Sequence, residues 1–174
     1  MTLARKGLLL AAIQLAIVLS LGAKLLYDRA TRPRVWAQAE NFDPDLPMRG
    51  RYLALRPRVI PEGFTYKAPD QPNVNDWWSN QNWAYLSVRN KQLVASAAGS
   101  GSGIWIHVRR DSSGQVTAVA DDAVLVFLPE TFHMPAPKPG DQLWVELTIP
   151  SKGPPRPIRL AINNGTTFTP LHIN

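Results

Sequence analysis

Between Lys6 and Lys24 the chain carries no charge, and Gln14 and Ser20 are its only clearly polar side chains; Leu, Ala, Ile and Val fill most of the remainder. An amphipathic helix resting on a core would show a polar stripe at helical spacing. None is present, so the pattern predicts a helix that is apolar on every side. At about 1.5 Å per residue the stretch Gly7 to Ala23 covers roughly 26 Å. Counting Leu25, Leu26 and Tyr27, with Lys24 snorkelling, extends it to the roughly 30 Å of a bilayer core. Tyr27 then falls at the interface, where aromatic rings collect. The reading is a single transmembrane helix. The competing reading is a cleaved signal peptide, with Arg5 and Lys6 as its basic start and Ser20-Leu21-Gly22 as a small-x-small cleavage site. That site is imperfect and the apolar pattern runs past it, which favours retention. Basic residues flank both ends, Arg5 and Lys6 on one side and Lys24, Arg29, Arg32 and Arg34 on the other, so charge alone does not orient the helix. A body outside the cytoplasm is the expectation.

After Arg34 the period of the pattern changes to two. Alternating runs at 35–42, 51–60, 83–89, 93–97, 104–109, 116–120, 123–128, 142–149, 158–162 and 167–173 predict about ten strands. The separators carry turn chemistry: Arg89-Asn90-Lys91, Asp111-Ser112-Ser113-Gly114, Pro139-Gly140-Asp141 and Asn163-Asn164-Gly165. Prolines punctuate any helical stretch that starts after the leading segment. Short, closely spaced strands with Gly/Pro turns predict a mainly β fold, an antiparallel sandwich or partly closed barrel, preceded by one N-terminal transmembrane helix. The domain reading is a membrane anchor with a basic juxtamembrane segment at 1–34 and a β domain at 35–174. The stretch 61–82 is the longest without a clear period and reads as an excursion from the sheet. Residues 97–103, rich in Ser and Gly, read as a flexible loop.

Composition changes this picture in two ways. The 174 residues include no Cys, which excludes disulfides, thiolate metal sites, iron–sulfur clusters and thiol nucleophiles. The net charge of +6 belongs almost wholly to the leading segment. Residues 1–34 hold six Lys/Arg against one acid, and the remainder holds 13 against 12. A nucleic-acid-binding body would need a large basic excess, so no nucleic-acid partner is expected.

Catalytic chemistry finds little to build on. His107, His133 and His172 stand alone, without metal-ligand spacing, and His107, flanked by Ile106 and Val108, reads as a side chain on the solvent face of a strand. No nucleophile elbow is present. A Ser/Lys dyad of the kind used by membrane-anchored β-rich peptidases would need a desolvated lysine, and Lys67, Lys91, Lys138 and Lys152 all lie outside apolar runs. The expectation is a non-enzymatic domain with no metal and no cofactor. Four arginines, Arg49, Arg51, Arg56 and Arg58, would split between two strand faces. They read as solvated charges or as pairs with Asp43, Asp45 or Glu62. Of the six Trp, Trp36, Trp83, Trp105 and Trp144 fall in predicted strands and are expected in the core. Trp77 and Trp78 in the irregular stretch are the pair to watch as a contact surface or, with Asn82, as a groove for a small molecule or glycan. Asn164-Gly165-Thr166 matches a glycosylation acceptor and serves equally as a turn.

At Met48-Arg-Gly-Arg-Tyr-Leu-Ala-Leu-Arg56 the chain resembles the GDYXXLXY family, membrane-anchored bacterial proteins without an assigned activity. Gly50, Tyr52 and Leu55 match the motif, Arg51 replaces its Asp and Pro57 its final Tyr. Phe127-Leu-Pro-Glu130 is similar to the family's later F-x-P-E segment. The resemblance covers residues 1–60 well and the remainder loosely. It implies a single anchor in the bacterial inner membrane, a periplasmic β domain and a polytopic membrane partner. Gly50 would permit a tight approach at strand entry, Tyr52 would pack its ring, and Leu55 would be core. Gly50, Arg51, Tyr52 and Leu55, together with Trp77 and Trp78, are therefore the candidate contact residues.

Overall fold

The computed structural model describes residues 3–41, 52–68, 78–132, 135 and 138–172. The chain divides into two compact units, Met1–Arg32 and Pro33–Asn174. The first is helix α1, Leu3–Thr31. Its segment Lys6–Tyr27 has a mean hydropathy of 2.1 and is unburied by protein. Twenty-two residues rise roughly 33 Å, long enough to cross a bilayer core. The Ser20 hydroxyl donates to the Ile17 carbonyl at 2.8 Å, the way a helix satisfies a hydroxyl where water is absent.

The described residues of the second unit form ten strands. In chain order they are β1 (Arg34–Asn41), β2 (Tyr52–Glu62), β3 (Gln81–Arg89), β4 (Gln92–Ser96), β5 (Gly103–Arg110), β6 (Val116–Ala120), β7 (Val124–Phe127), β8 (Gln142–Thr148), β9 (Arg156–Asn163) and β10 (Phe168–Leu171). Every run of alternation thus became a strand. Boundaries moved by a few residues at most: β2 continues through Pro61 to Glu62, and β3 starts at Gln81, so both ends of the stretch 61–82 belong to strands.

Ladder pairing sorts the strands into two sheets that share β2. One closes on itself: β2 pairs β4, β4 pairs β3, β3 pairs β5, β5 pairs β6, and β6 returns to β2. This is a closed five-stranded barrel. Its β2–β4 pair is parallel, the one departure from the antiparallel expectation among the described ladders. The second sheet runs β10-β9-β8-β1-β2, with β7 on the far side of β2. It stays open. Strand β2 serves both: its start pairs β7 and its middle β1, whereas its second half pairs β6 and β4.

Local chemistry explains the reversals. The β3–β4 hairpin has the two-residue loop Asn90-Lys91, both with positive φ (50° and 61°), the mirror-image turn whose twist matches paired strands. Between β5 and β6, the Asp111 carboxylate accepts from the backbone N–H of Ser113 and Gln115 and from the Ser113 hydroxyl. The hydroxyl hydrogen bond leads the effects that hold that carboxyl below its ordinary range. The glycosylation-like triplet is likewise a turn, with Asn164 Oδ1 accepting from Thr166 and Thr167.

Inside, the core is aliphatic and mostly small: Val35, Ala37, Leu55, Val59, Ala84, Leu86, Ile104, Ile106, Val108, Ala118, Val124, Val145, Leu147 and Leu160 are all buried. No Trp is among them. Each expected core Trp instead sits on the opposite phase of its strand. Trp36 lies between buried Val35 and Ala37, Trp105 between buried Ile104 and Ile106, Trp83 before buried Ala84, and Trp144 before buried Val145. The interior of a small barrel is filled by modest side chains and leaves no space for indoles. Trp36 and Trp144 are half-buried on the outer side of the open sheet, where both meet Phe168 edge-on. Trp83 and Trp105 remain 45% and 44% exposed.

Candidate functional site

Of the candidate contact residues that are described, Tyr52 and Leu55 lie on β2 and Trp78 lies off it. Leu55 is fully buried, facing Val124 of β7 and Asn41 of β1 in register. Three residues earlier, Tyr52 is exposed and stands opposite Phe127, the rings meeting edge-on at 5.5 Å. The two segments that carry the family resemblance, far apart in sequence, are therefore cross-strand neighbours. Such an aromatic pair contributes about 0.5–1.5 kcal/mol beyond its area. Gly50, Arg51 and Trp77 lie outside the described residues. Trp78 opens a 3-10 turn, Trp78–Asn80.

Strand β7 presents Leu125 and Phe127 to solvent while Val124 and Val126 face the core. Beside it is a cleft of about 400 Å³, lined by Leu125, Val126 and Phe127 on one wall and by Pro157, Ile158 and Arg159 of β9 on the other, with Leu171 and His172 at its end. The Arg159 guanidinium donates to the buried Glu146 carboxylate at 2.7 Å. That hydrogen bond and charge raise the arginine's pKa still further.

A second exposed aromatic feature lies on the barrel. Trp83 and Trp105 face each other across β3 and β5, 5.4 Å apart and edge-to-face. Trp83 is laid down over Gly103: a Cβ there would overlap its indole. Beside them, Gln81 Nε2 donates to Asp121 Oδ2 at 2.7 Å, and Asp121 N–H donates to the Trp105 carbonyl. The remaining Asp121 oxygen is buried without a partner. No family model, curated protein or solved structure matches the chain.

Arg58 pairs with Glu40, and Glu62 pairs with Arg89 rather than with one of the four arginines; Asp43 and Asp45 lie outside the described residues. Glu40 also binds Arg109 through both its oxygens. Partial burial raises the pKa of Glu40, but hydrogen bonds and charge from Arg109 and Arg58 outweigh this and leave it below the ordinary glutamate value. Sequence reasoning missed this clamp because its members come from β1, β2 and β5, which only the fold brings together.

Two further positions depart from the reading. His107 was expected on a solvent face, yet it is 8% exposed, packed between its register partners Gln81 and Val119. Asn80, read as part of a polar excursion, is buried. Its amide pairs both the N–H and the carbonyl of Lys67, each at 2.9 Å, acting as a stand-in for a strand neighbour. Asn82, a groove candidate with Trp77 and Trp78, donates its amide N–H to the Asn80 carbonyl at 3.0 Å. Lys67, Lys91, Lys138 and Lys152 are all exposed, so none has the desolvation a Ser/Lys dyad requires. Among the described residues no group of three or more His, Asp or Glu could hold a metal ion.

Proposed function

We propose that this chain is a membrane-tethered, non-enzymatic β domain whose body lies outside the cytoplasm of a bacterium and contacts another envelope component, a polytopic membrane protein. Support for the tether comes from the length and all-round apolarity of α1. One observation supports the contact role above the others: Tyr52, Leu125 and Phe127, 46%, 56% and 58% exposed, lie together at one sheet edge beside an open cleft. A clustered apolar surface of this kind marks interaction sites on soluble domains. The test is photo-crosslinking in intact cells from positions 52 and 127. A specific adduct with one membrane protein is expected; no adduct from either position would remove the proposal. The orientation has its own check, since a C-terminal reporter active only in the cytoplasm would reverse it.

A second reading, a glycan-binding surface, is favoured by the Trp83–Trp105 pair. Half-exposed indoles beside a Gln81–Asp121 hydrogen bond combine an apolar face with polar handles. Titration of the full chain with soluble cell-wall oligosaccharides, followed by Trp fluorescence, should give saturable quenching that Trp83→Ala abolishes. A flat titration removes this reading.

A further inference from the structure

The chain enters the body at Pro33, whose carbonyl accepts from the Ile149 N–H at 3.1 Å. Arg34 opposes Thr148 on β8, and Thr148 opposes Arg156 on β9. The connection from β8 to β9 carries Lys152 and Gly153, and the Gly153 carbonyl accepts from the Ser102 hydroxyl at 2.6 Å. Ser102 precedes Gly103, over which the Trp83 indole lies, with Trp105 edge-on to that indole. One continuous surface of the body therefore runs from the point of entry to the exposed Trp pair.

Lys152 and Arg156 are both exposed on it, and neither 97–104 nor 147–158 holds an acidic residue. Asp121 and Asp122 follow β6, on the far side of β5 from Trp83, and Asp121 is bonded to Gln81. Exposed indoles beside cations match a phospholipid surface, where aromatic rings collect at headgroup level and lipid phosphates attract Lys and Arg. The length of the chain says which surface is in reach. Helix α1 continues to Thr31, so four residues beyond Tyr27 rise about 6 Å, and three extended residues add about 10 Å. Whichever way the body turns, Arg34 stays within roughly 16 Å of the level at which Tyr27 meets the headgroups. We infer that this face of the body rests on anionic phospholipid, with Trp83 and Trp105 at headgroup depth and Lys152 and Arg156 against the phosphates. It rests on the reading of α1 as a retained tether, which alkaline carbonate extraction checks separately.

The test uses the full chain reconstituted in vesicles of phosphatidylcholine and phosphatidylglycerol, the latter brominated in the upper part of its acyl chains. Bromine quenches only indoles close to it, and α1 has no Trp. Emission should be quenched, and Trp83→Phe combined with Trp105→Phe should remove most of that quenching. Lys152→Glu combined with Arg156→Glu keeps both indoles and reverses two charges. Quenching should then fall to roughly half or less, and high salt should weaken it in the parent as well. Thermal midpoints near that of the parent show that each variant is folded. Unquenched emission from a chain that resists carbonate overturns the lipid-facing surface and leaves the tether standing; a chain that carbonate releases overturns both. Quenching that survives loss of both indoles, or that ignores the charge reversal, also overturns it. An indole pair quenched by soluble cell-wall oligosaccharide and not by brominated lipid belongs to the glycan reading instead.

Discussion

The two sheets of the body share β2 and the same kind of aliphatic core, yet one closes and the other does not. In the barrel every strand has two neighbours, so its peptide groups are consumed internally and its chemistry lies in outward side chains such as Trp83 and Trp105. In the open sheet peptide groups remain at the margins, and prolines at 157 and 170 limit what can join them. Closure removes edges altogether. The difference teaches what each arrangement leaves on its surface: outward side chains on the barrel, and backbone groups at the margins of the open sheet.

The strongest way to break this arrangement is at the strand both sheets use. Leu55→Ala should cost about 2–5 kcal/mol, since it opens a cavity under β1, β2 and β7 at once. Denaturant unfolding should show a single, much lower midpoint. Loss of the open sheet alone, with barrel amides still protected in hydrogen exchange, would mean that the two halves do not share one core.

A smaller effect is expected on the barrel's outer face. Gly103→Ala forces the Trp83 ring off β5 and should destabilise by about 1–3 kcal/mol, as overpacking does. Trp fluorescence would shift with it, and an unchanged spectrum would show that the indole is not held there. The β3–β4 turn sharpens the comparison in the other direction. Lys91 holds a left-handed conformation, which costs a side-chain-bearing residue about 1–2 kcal/mol. Lys91→Gly should therefore stabilise the chain by up to about 1 kcal/mol, after the added chain entropy of glycine is counted. Thermal unfolding reads this directly.

The smallest effect concerns the tie between the halves. The Glu40 carboxylate of β1 is clamped by Arg58 of β2 and Arg109 of β5, and its folded pKa is depressed. A depressed carboxylate contributes stability that is complete above its unfolded pKa, about 4.3, and is lost as pH falls through the folded value. Glu40→Gln should therefore flatten the acid limb of the stability profile below about pH 4 and lower stability slightly at pH 7. Urea midpoints at several pH values would test it; an identical acid limb in the variant would remove the clamp from the account.

The strands were legible because a period of two survives any tertiary detail, and turns such as Asn90-Lys91 announced themselves by residue type. The phase of that period was legible too, though the tryptophans obscured it. Trp36, Trp83, Trp105 and Trp144 each alternate with Val, Ile or Ala that are themselves buried, and that register, rather than indole hydrophobicity, decides which side is inside. Of the candidate contact residues, Tyr52 and Leu55 both lie on β2; Leu55 is core as its place in the motif suggested, whereas Tyr52 is 46% exposed and packs only against Phe127 among the described rings.

The sequence by itself determined an apolar leading helix, ten strands, most of their turns and the near-neutral charge of the body, because these depend on neighbours along the chain. Which strands pair, that β2 bridges two sheets, that one sheet closes with a parallel seam, and that Tyr52 meets Phe127 beside a cleft were decided only by the tertiary structure. Pairing joins residues tens of positions apart, and many partners of similar hydrophobicity compete for each ladder. Only the simultaneous filling of one core by side chains of fixed size selects among them.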